Sequence, residues 1–142
     1  MTGLVVCVVV LALAGGFGLF RARRDGRLRA TGARGKDDAV LLSATDLGEG
    51  AALGERATLV QFSSAFCQPC RATRRVLEEV VTMVDGVAHV EIDAEQRLEL
   101  VRRLDILRTP TVLVLDAAGR VVQRASGQPR RADVIAALGQ AI

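Results

Sequence analysis

The sequence predicts an α/β fold, a mixed β-sheet with helices on both faces, preceded by one N-terminal transmembrane helix. Three observations carry this expectation. Gly3 to Phe20 contains no charged residue, apolar strand-like runs alternate with amphipathic stretches from about Ala39 onward, and Cys67-Gln68-Pro69-Cys70 stands where one such strand gives way to a helix.

The charge-free stretch, at about 1.5 Å per residue, reaches about 27 Å, within the working range for one bilayer span. Gly15, Gly16 and Gly18 offer a second helix a close approach, and Cys7 reads as a small apolar filler. A cleaved signal peptide is the competing reading, with Ala12-Leu13-Ala14 as a small-x-small site. Met1-Thr2-Gly3, however, lacks the basic segment that normally opens one. The basic residues come afterwards, as Arg21, Arg23, Arg24, Arg27, Arg29, Arg34 and Lys36. By the positive-inside rule this cluster stays in the cytoplasm, so the chain is expected to be a single-pass protein with its folded domain on the cytoplasmic side.

Residues 1–20 are thus assigned to the membrane helix, 21–38 to a basic juxtamembrane linker and 39–142 to the folded domain. Gly26, Gly32 and Gly35 among the basic residues give the linker a flexible composition. From Arg21 to Lys36 the net charge is +6 against +3 for the whole chain, so residues 37–142 carry −3. The high basicity therefore points to anionic membrane lipid as partner and excludes a nucleic-acid surface on the domain.

Within the domain, Ala39 to Leu42 reads as a short first strand and Thr45 to Leu53 as a first helix. Ala57 to Ser64 is β-branched and apolar like a buried strand. Arg71 to Met83 follows as a helix with Val76, Leu77, Val80, Val81 and Val84 on one stripe. Val87 to Asp93 alternates as a strand, and Ala94 to Leu104 is helical with Leu98, Val101 and Leu104 inward. Val112 to Asp116 and Val121 to Ala125 form a hairpin across Ala117 to Arg120. Arg131 to Ile142 closes the chain as a helix burying Val134, Ile135 and Leu138.

Cys67 and Cys70 carry the chemistry. The thiolate is the attacking species, and the unpaired N–H groups of a helix's first turn stabilise a negative charge placed at Cys67. Cys70, one turn later, is close enough to form a disulfide and is expected to be the more buried, resolving thiol. Pro69 is tolerated because first-turn N–H groups have no intrahelical partner. Gln68 brings no charge, leaving the helix terminus with Arg71 and Arg74 to acidify Cys67. A zinc half-site is disfavoured, since the remaining Cys7 and His89 supply no second ligand pair. Accidental spacing of two core cysteines and a structural disulfide stay open on the motif alone.

Thr109-Pro110-Thr111 precedes a second buried-strand pattern. A proline there cannot donate to the ladder, and a cis peptide is one reason for its presence. With this feature added, the chain from about Val40 to Ile142 resembles the thioredoxin family. The shared marks are the strand ending in Phe62, aromatic-Cys-x-Pro-Cys at 66–70, Ile92-Asp93, Thr109-Pro110-Thr111, the turn at 116–119 and Gly127. The resemblance implies a three-layer α/β/α sandwich and thiol-disulfide exchange with disulfide-containing protein substrates. It implies no metal or organic cofactor, and an electron donor that the sequence does not name. By the same resemblance Cys67 is the attacking cysteine and Cys70 the resolving one. Pro110 is the cis-proline that docks substrate backbone, and Thr109 the residue touching the attacking sulfur. Gly127 borders the substrate groove, and Phe66 takes the place of the usual tryptophan.

Two positions depart from the family pattern. Gln61 replaces the buried aspartate beneath the resolving cysteine, and His89 aligns with its lysine partner. Gln61 cannot take a proton, so the usual relay is absent or moved, with slower exchange expected. His89 is either its replacement or a satisfied polar residue at a strand start. The expected activity is that of a membrane-anchored reductase. The alternatives are a scaffold module that binds without turnover, and an extracytoplasmic oxidase or cytochrome-maturation protein, for which Gln68 and Thr109 leave room.

Overall fold

The computed structural model describes residues 1–30 and 40–142. Gly32, Arg34, Gly35, Lys36 and the start of the expected first strand at Ala39 lie outside the described residues.

The elements in chain order are α1 (Thr2–Arg24), β1 (Arg29–Ala30), α2 (Ala44–Leu47), β2 (Ala57–Ser63), α3 (Gln68–Met83) and β3 (Val87–Asp93). They continue with α4 (Leu98–Arg103), β4 (Thr111–Asp116), β5 (Val121–Ser126) and α5 (Arg131–Ala141). The strands form one mixed sheet in the order β1-β5-β4-β2-β3. β2 runs parallel to β3 and antiparallel to β4, with Gln61 opposite Glu91 on one side and Val112 on the other.

Both faces of the sheet are covered, as expected. Because side chains alternate along a strand, β2 sends Val60 and Phe62 to a core shared with Leu42, Leu100, Leu104 and Leu113. Its Ala57 and Leu59 join the opposite core with Leu77 and Val80 of α3 and Val134 and Leu138 of α5. Every residue of β2 is buried, which explains its near-continuous apolar run.

Several boundaries differ from expectation, each for a local reason. The first helix stops after one turn at Leu47 instead of reaching Leu53. Ser43 and Asp46 form a capping box at its start, but Gly48 and Gly50 adopt φ of +120° and +75° and turn the chain away. Of the predicted strand at 39–42, the described residues 40–42 form an isolated bridge between Leu41 and Arg120. The helix expected from Ala94 begins at Leu98, because the Asp93 carboxylate accepts the Glu95 N–H (2.9 Å) and holds a turn there. Leu98 is then outside the packed face, 54% exposed, and Leu100 takes the inward position at 6%. In α5, Ile135 is likewise 42% exposed, and Ala137 fills the buried stripe between Val134 and Leu138.

The stretch expected to be a linker supplies structure of its own. Helix α1 runs on to Arg24, and Arg29–Ala30 pair with Gln123 and Arg124 at the sheet edge. Gly26 makes this junction possible: its φ is +72°, its N–H donates to Ser126 O (2.8 Å), and a Cβ would fall 1.8 Å from Gln128 O. The α1 sequence is long and apolar enough to cross a membrane, with mean hydropathy 2.6 and none of its residues buried.

The reassigned face of α4 gives a direct check. Leu100→Ala is expected to cost about 2–5 kcal/mol, whereas Leu98→Ala stays within about 0.5 kcal/mol of the parent. Urea unfolding of both variants in the same detergent measures the difference, and equal losses would refute the assignment.

Candidate active site

The site forms where β2 ends. Its strand delivers Ser63 and Ser64 to the edge of the sheet, and the chain turns into α3 through Phe66, whose φ of +58° is a left-handed conformation a bulky residue rarely adopts. Phe66 is 99% exposed as a result and stands free beside the cysteines.

Cys67 is the N-cap of α3. Its Sγ lies 3.2 Å from the Cys70 N–H, which donates to it, so one otherwise unpaired first-turn donor points at this sulfur. Cys67 and Cys70 are joined in a disulfide, with Cα atoms 5.2 Å apart. Cys67 is partly exposed, whereas Cys70 is 2% exposed, so a partner molecule meets Cys67 first. Of the two arginines expected to acidify Cys67, Arg74 is committed elsewhere. Its Nε and Nη2 donate to the two oxygens of Glu91 (2.5 and 2.6 Å), clamping α3 to β3 and holding the Glu91 carboxyl below its ordinary pKa.

Beneath the pair lies Gln61, fully buried. Its amide Nε2 donates to Cys70 O (2.8 Å) and Ser63 Oγ (3.0 Å). A backbone carbonyl can only accept, so the amide nitrogen must face Cys70 and the amide oxygen must face His89. His89 Nε2, 3.2 Å from that oxygen, is consequently the protonated ring nitrogen. Gln61 therefore stands between His89 and the cysteines, and an amide relays hydrogen-bond polarisation but no proton. Burial pushes the His89 pKa below its ordinary value, against the upward pull of Glu91 and Glu78, which favours the neutral ring this geometry requires.

The second wall of the site is the loop before β4. The Thr109–Pro110 peptide is cis. The Thr109 hydroxyl is hydrogen-bonded to that of Ser64 (2.8 Å), and Thr111 Oγ1 donates to Arg108 O (2.6 Å). Gly127 sits alongside, its N–H donating to Pro110 O (2.8 Å) with φ of +97°. Pro69, Thr109, Pro110 and Gly127 line a groove of about 670 Å³. Ala22 and Asp25, at the end of α1, line it too.

The structure thus gathers Phe66, Cys67, Gln68, Cys70, Thr109, Pro110 and Gly127 at one end of the sheet and sets Gln61 and His89 in a layer below. Sequence reasoning missed Ser64 and Arg108. Ser64 ties the β2–α3 turn to the proline loop, and Arg108 Nη2 donates to Ser126 O (2.9 Å) and pairs with Asp25 (3.1 Å). Their positions in the chain carry no pattern that would have identified them. Among the described residues no group of three or more His, Cys, Asp and Glu is placed to hold a metal ion.

The buried histidine gives the fold a pH dependence. A folded-state pKa below 6.5 means that unfolding takes up a proton once the pH falls below about 6.5. Stability attributable to His89 is therefore complete above that value and lost progressively as pH falls toward the folded pKa. Replacing His89 with Asn should flatten the decline in urea midpoint between about pH 7.5 and 5.5. An unchanged slope would show that His89 does not carry it.

The thioredoxin family model matches residues 43–140. Thioredoxin of Bacillus subtilis (strain 168) is 33% identical over 94 residues, covering 65% of this chain and 89% of that protein. Thioredoxin of Alicyclobacillus acidocaldarius is 34% identical over 79 residues, covering 54% of this chain and 74% of its own length. Among solved structures, chloroplastic thioredoxin z superposes with a TM-score of 0.55 at 30% identity, over 61% of this chain and 78% of that one. The family-model match runs from the start of α2 into α5 and includes the cysteine pair at the head of α3: the chain belongs to the thioredoxin family and is a thiol-disulfide oxidoreductase.

Proposed function

We propose that the protein is a membrane-anchored reductase of protein disulfides, with Cys67 as nucleophile and Cys70 as resolving thiol. The observation that carries the assignment is the asymmetry of the pair: Cys67 is partly exposed and its Sγ receives the Cys70 N–H, while Cys70 is buried and its carbonyl accepts from Gln61. In the reduced protein the Cys67 thiolate attacks one sulfur of a substrate disulfide. A Cys67–substrate disulfide forms, and the other substrate sulfur leaves as thiolate and takes up a proton. Cys70, deprotonated, then attacks Cys67 Sγ, releasing the second substrate thiolate and closing the Cys67–Cys70 disulfide. Two electrons pass to the substrate, and a separate dithiol or equivalent donor must return them.

The groove supplies the binding surface in this reading. Phe66 offers an exposed apolar face, and substrate backbone lies against Thr109, Pro110 and Gly127, as the family resemblance implies. Helix α1 anchors the domain, residues 21–38 join it to the bilayer surface, and the basic cluster keeps the domain on the cytoplasmic side and attracts anionic lipid. A non-catalytic scaffold would have no use for an accessible cysteine paired with a buried one.

Replacing Cys70 with Ser blocks resolution, so the variant should accumulate mixed disulfides through Cys67 on non-reducing gels, all reversed by dithiothreitol. A scaffold would trap none, and trapping by a Cys67→Ser variant instead would invert the two roles. A reporter fused after Ile142 should score as cytoplasmic. An extracytoplasmic score would overturn the topology and favour the oxidase or cytochrome-maturation reading.

A further inference from the structure

We infer that the junction between α1 and the domain is a binding site for the phosphate headgroup of one anionic phospholipid. This rests on the membrane-anchored reading of α1 and adds a discrete site to it. A cavity of about 760 Å³ opens where the helix leaves its apolar stretch. Six arginines line it, from separate parts of the chain: Arg21 and Arg24 on α1, Arg27 and Arg29 after it, Arg108 before the proline loop and Arg124 on β5. The single acid in the lining is Asp25, and it is paired with Arg108 at 3.1 Å.

Five positive charges around one cavity are therefore uncompensated by its lining. Arg124 is the most constrained of them: its Nη atoms donate to the carbonyls of Leu104 (2.6 Å) and Asp105 (3.3 Å), and its buried Nε has no partner. Arg21, Arg27 and Arg29 make no ion pair among the described residues. Guanidinium groups match phosphate oxygens two at a time, and a phosphate here would relieve the mutual repulsion.

The remaining lining decides between a free phosphate and a lipid. Phe17, Phe20 and the 85% exposed Leu107 form an apolar side to the cavity. Phe20 immediately precedes the first charge of the chain, at the depth where acyl chains give way to headgroups. Arg24 stacks 4.4 Å over the Phe20 ring, joining the cationic and apolar parts. A phosphodiester with acyl chains satisfies both, and inorganic phosphate satisfies one. Because Arg108 directly precedes Thr109 and Pro110, the bound lipid would hold the groove at the bilayer surface and direct the cysteines toward disulfides close to the membrane.

The test uses the full chain in detergent, with phosphatidylglycerol and phosphatidylcholine added in equal amounts and bound lipid counted by native mass spectrometry. One phosphatidylglycerol should be retained in preference to phosphatidylcholine, and millimolar inorganic phosphate should not displace it. Arg29→Gln and Arg124→Gln should each weaken retention about fivefold, whereas Arg23→Gln, which removes the same charge outside the cavity, should change it less than twofold. Arg29 is exposed and its side chain bonds no carbonyl among the described residues, so its variant decides the matter if Arg124→Gln misfolds. Equal losses in all variants, equal retention of the two lipids, or displacement by phosphate would each overturn the site. Alkaline extraction of membranes separates this from the anchoring itself: a chain released by carbonate refutes the anchor, and one that stays bound without lipid preference refutes the headgroup site alone.

Discussion

The reactive edge depends on β2 being buried on both faces. Its seven residues lie between β3 and β4 and under helices on either side, so the end of the strand is held from four directions. The chain leaving it must turn at once into α3, and the α3 N-terminus is brought over Gln61. From that one constraint follow the position of Cys67 at the helix cap, the depth of Cys70 and the approach of the β2–α3 turn to the proline loop through Ser64 and Thr109.

The layer beneath the cysteines differs in kind from a carboxylate relay. Gln61 anchors the Cys70 carbonyl and orients His89, and Arg74 bound to Glu91 pins the helix to the neighbouring strand. All of these partners are hydrogen-bonded, so the layer is rigid at low cost in unsatisfied polar groups. What it lacks is a group able to exchange a proton directly with Cys70, since an amide fills the intervening space.

The junction with α1 changes the meaning of the basic stretch. Composition alone describes a flexible tether, yet Gly26 is buried against β5 and the Gln128 backbone, and Arg29–Ala30 extend the sheet. The groove is consequently bordered by the end of α1 as well as by the proline loop. The end of α1 and the active site share a wall, so the surroundings of that helix bear on what reaches Cys67.

Much of the fold was legible because its signals are local. The charge-free run, the apolar β2 and β4, the amphipathic α3 and the Cys-Gln-Pro-Cys spacing each follow from residue type and period, and Pro110 marks the facing loop. Helix ends were misplaced where a single side chain or glycine redirected the backbone, as Asp93, Gly48 and Gly50 do, and Leu98 was misplaced on α4 because a short helix offers too few turns to define a stripe, while Val101 and Leu104 pack inward as expected. The sequence by itself determined the strand order's building blocks and the two sulfurs of the site. Tertiary structure alone decided that Gln61 separates His89 from Cys70, that Ser64 meets Thr109, and that Arg108 and Arg124 join the arginines after α1. Those pairings range from 9 positions apart, for Gln61 and Cys70, to 103, for Arg21 and Arg124, and only the packing of the sheet brings them within a hydrogen bond or a shared cavity.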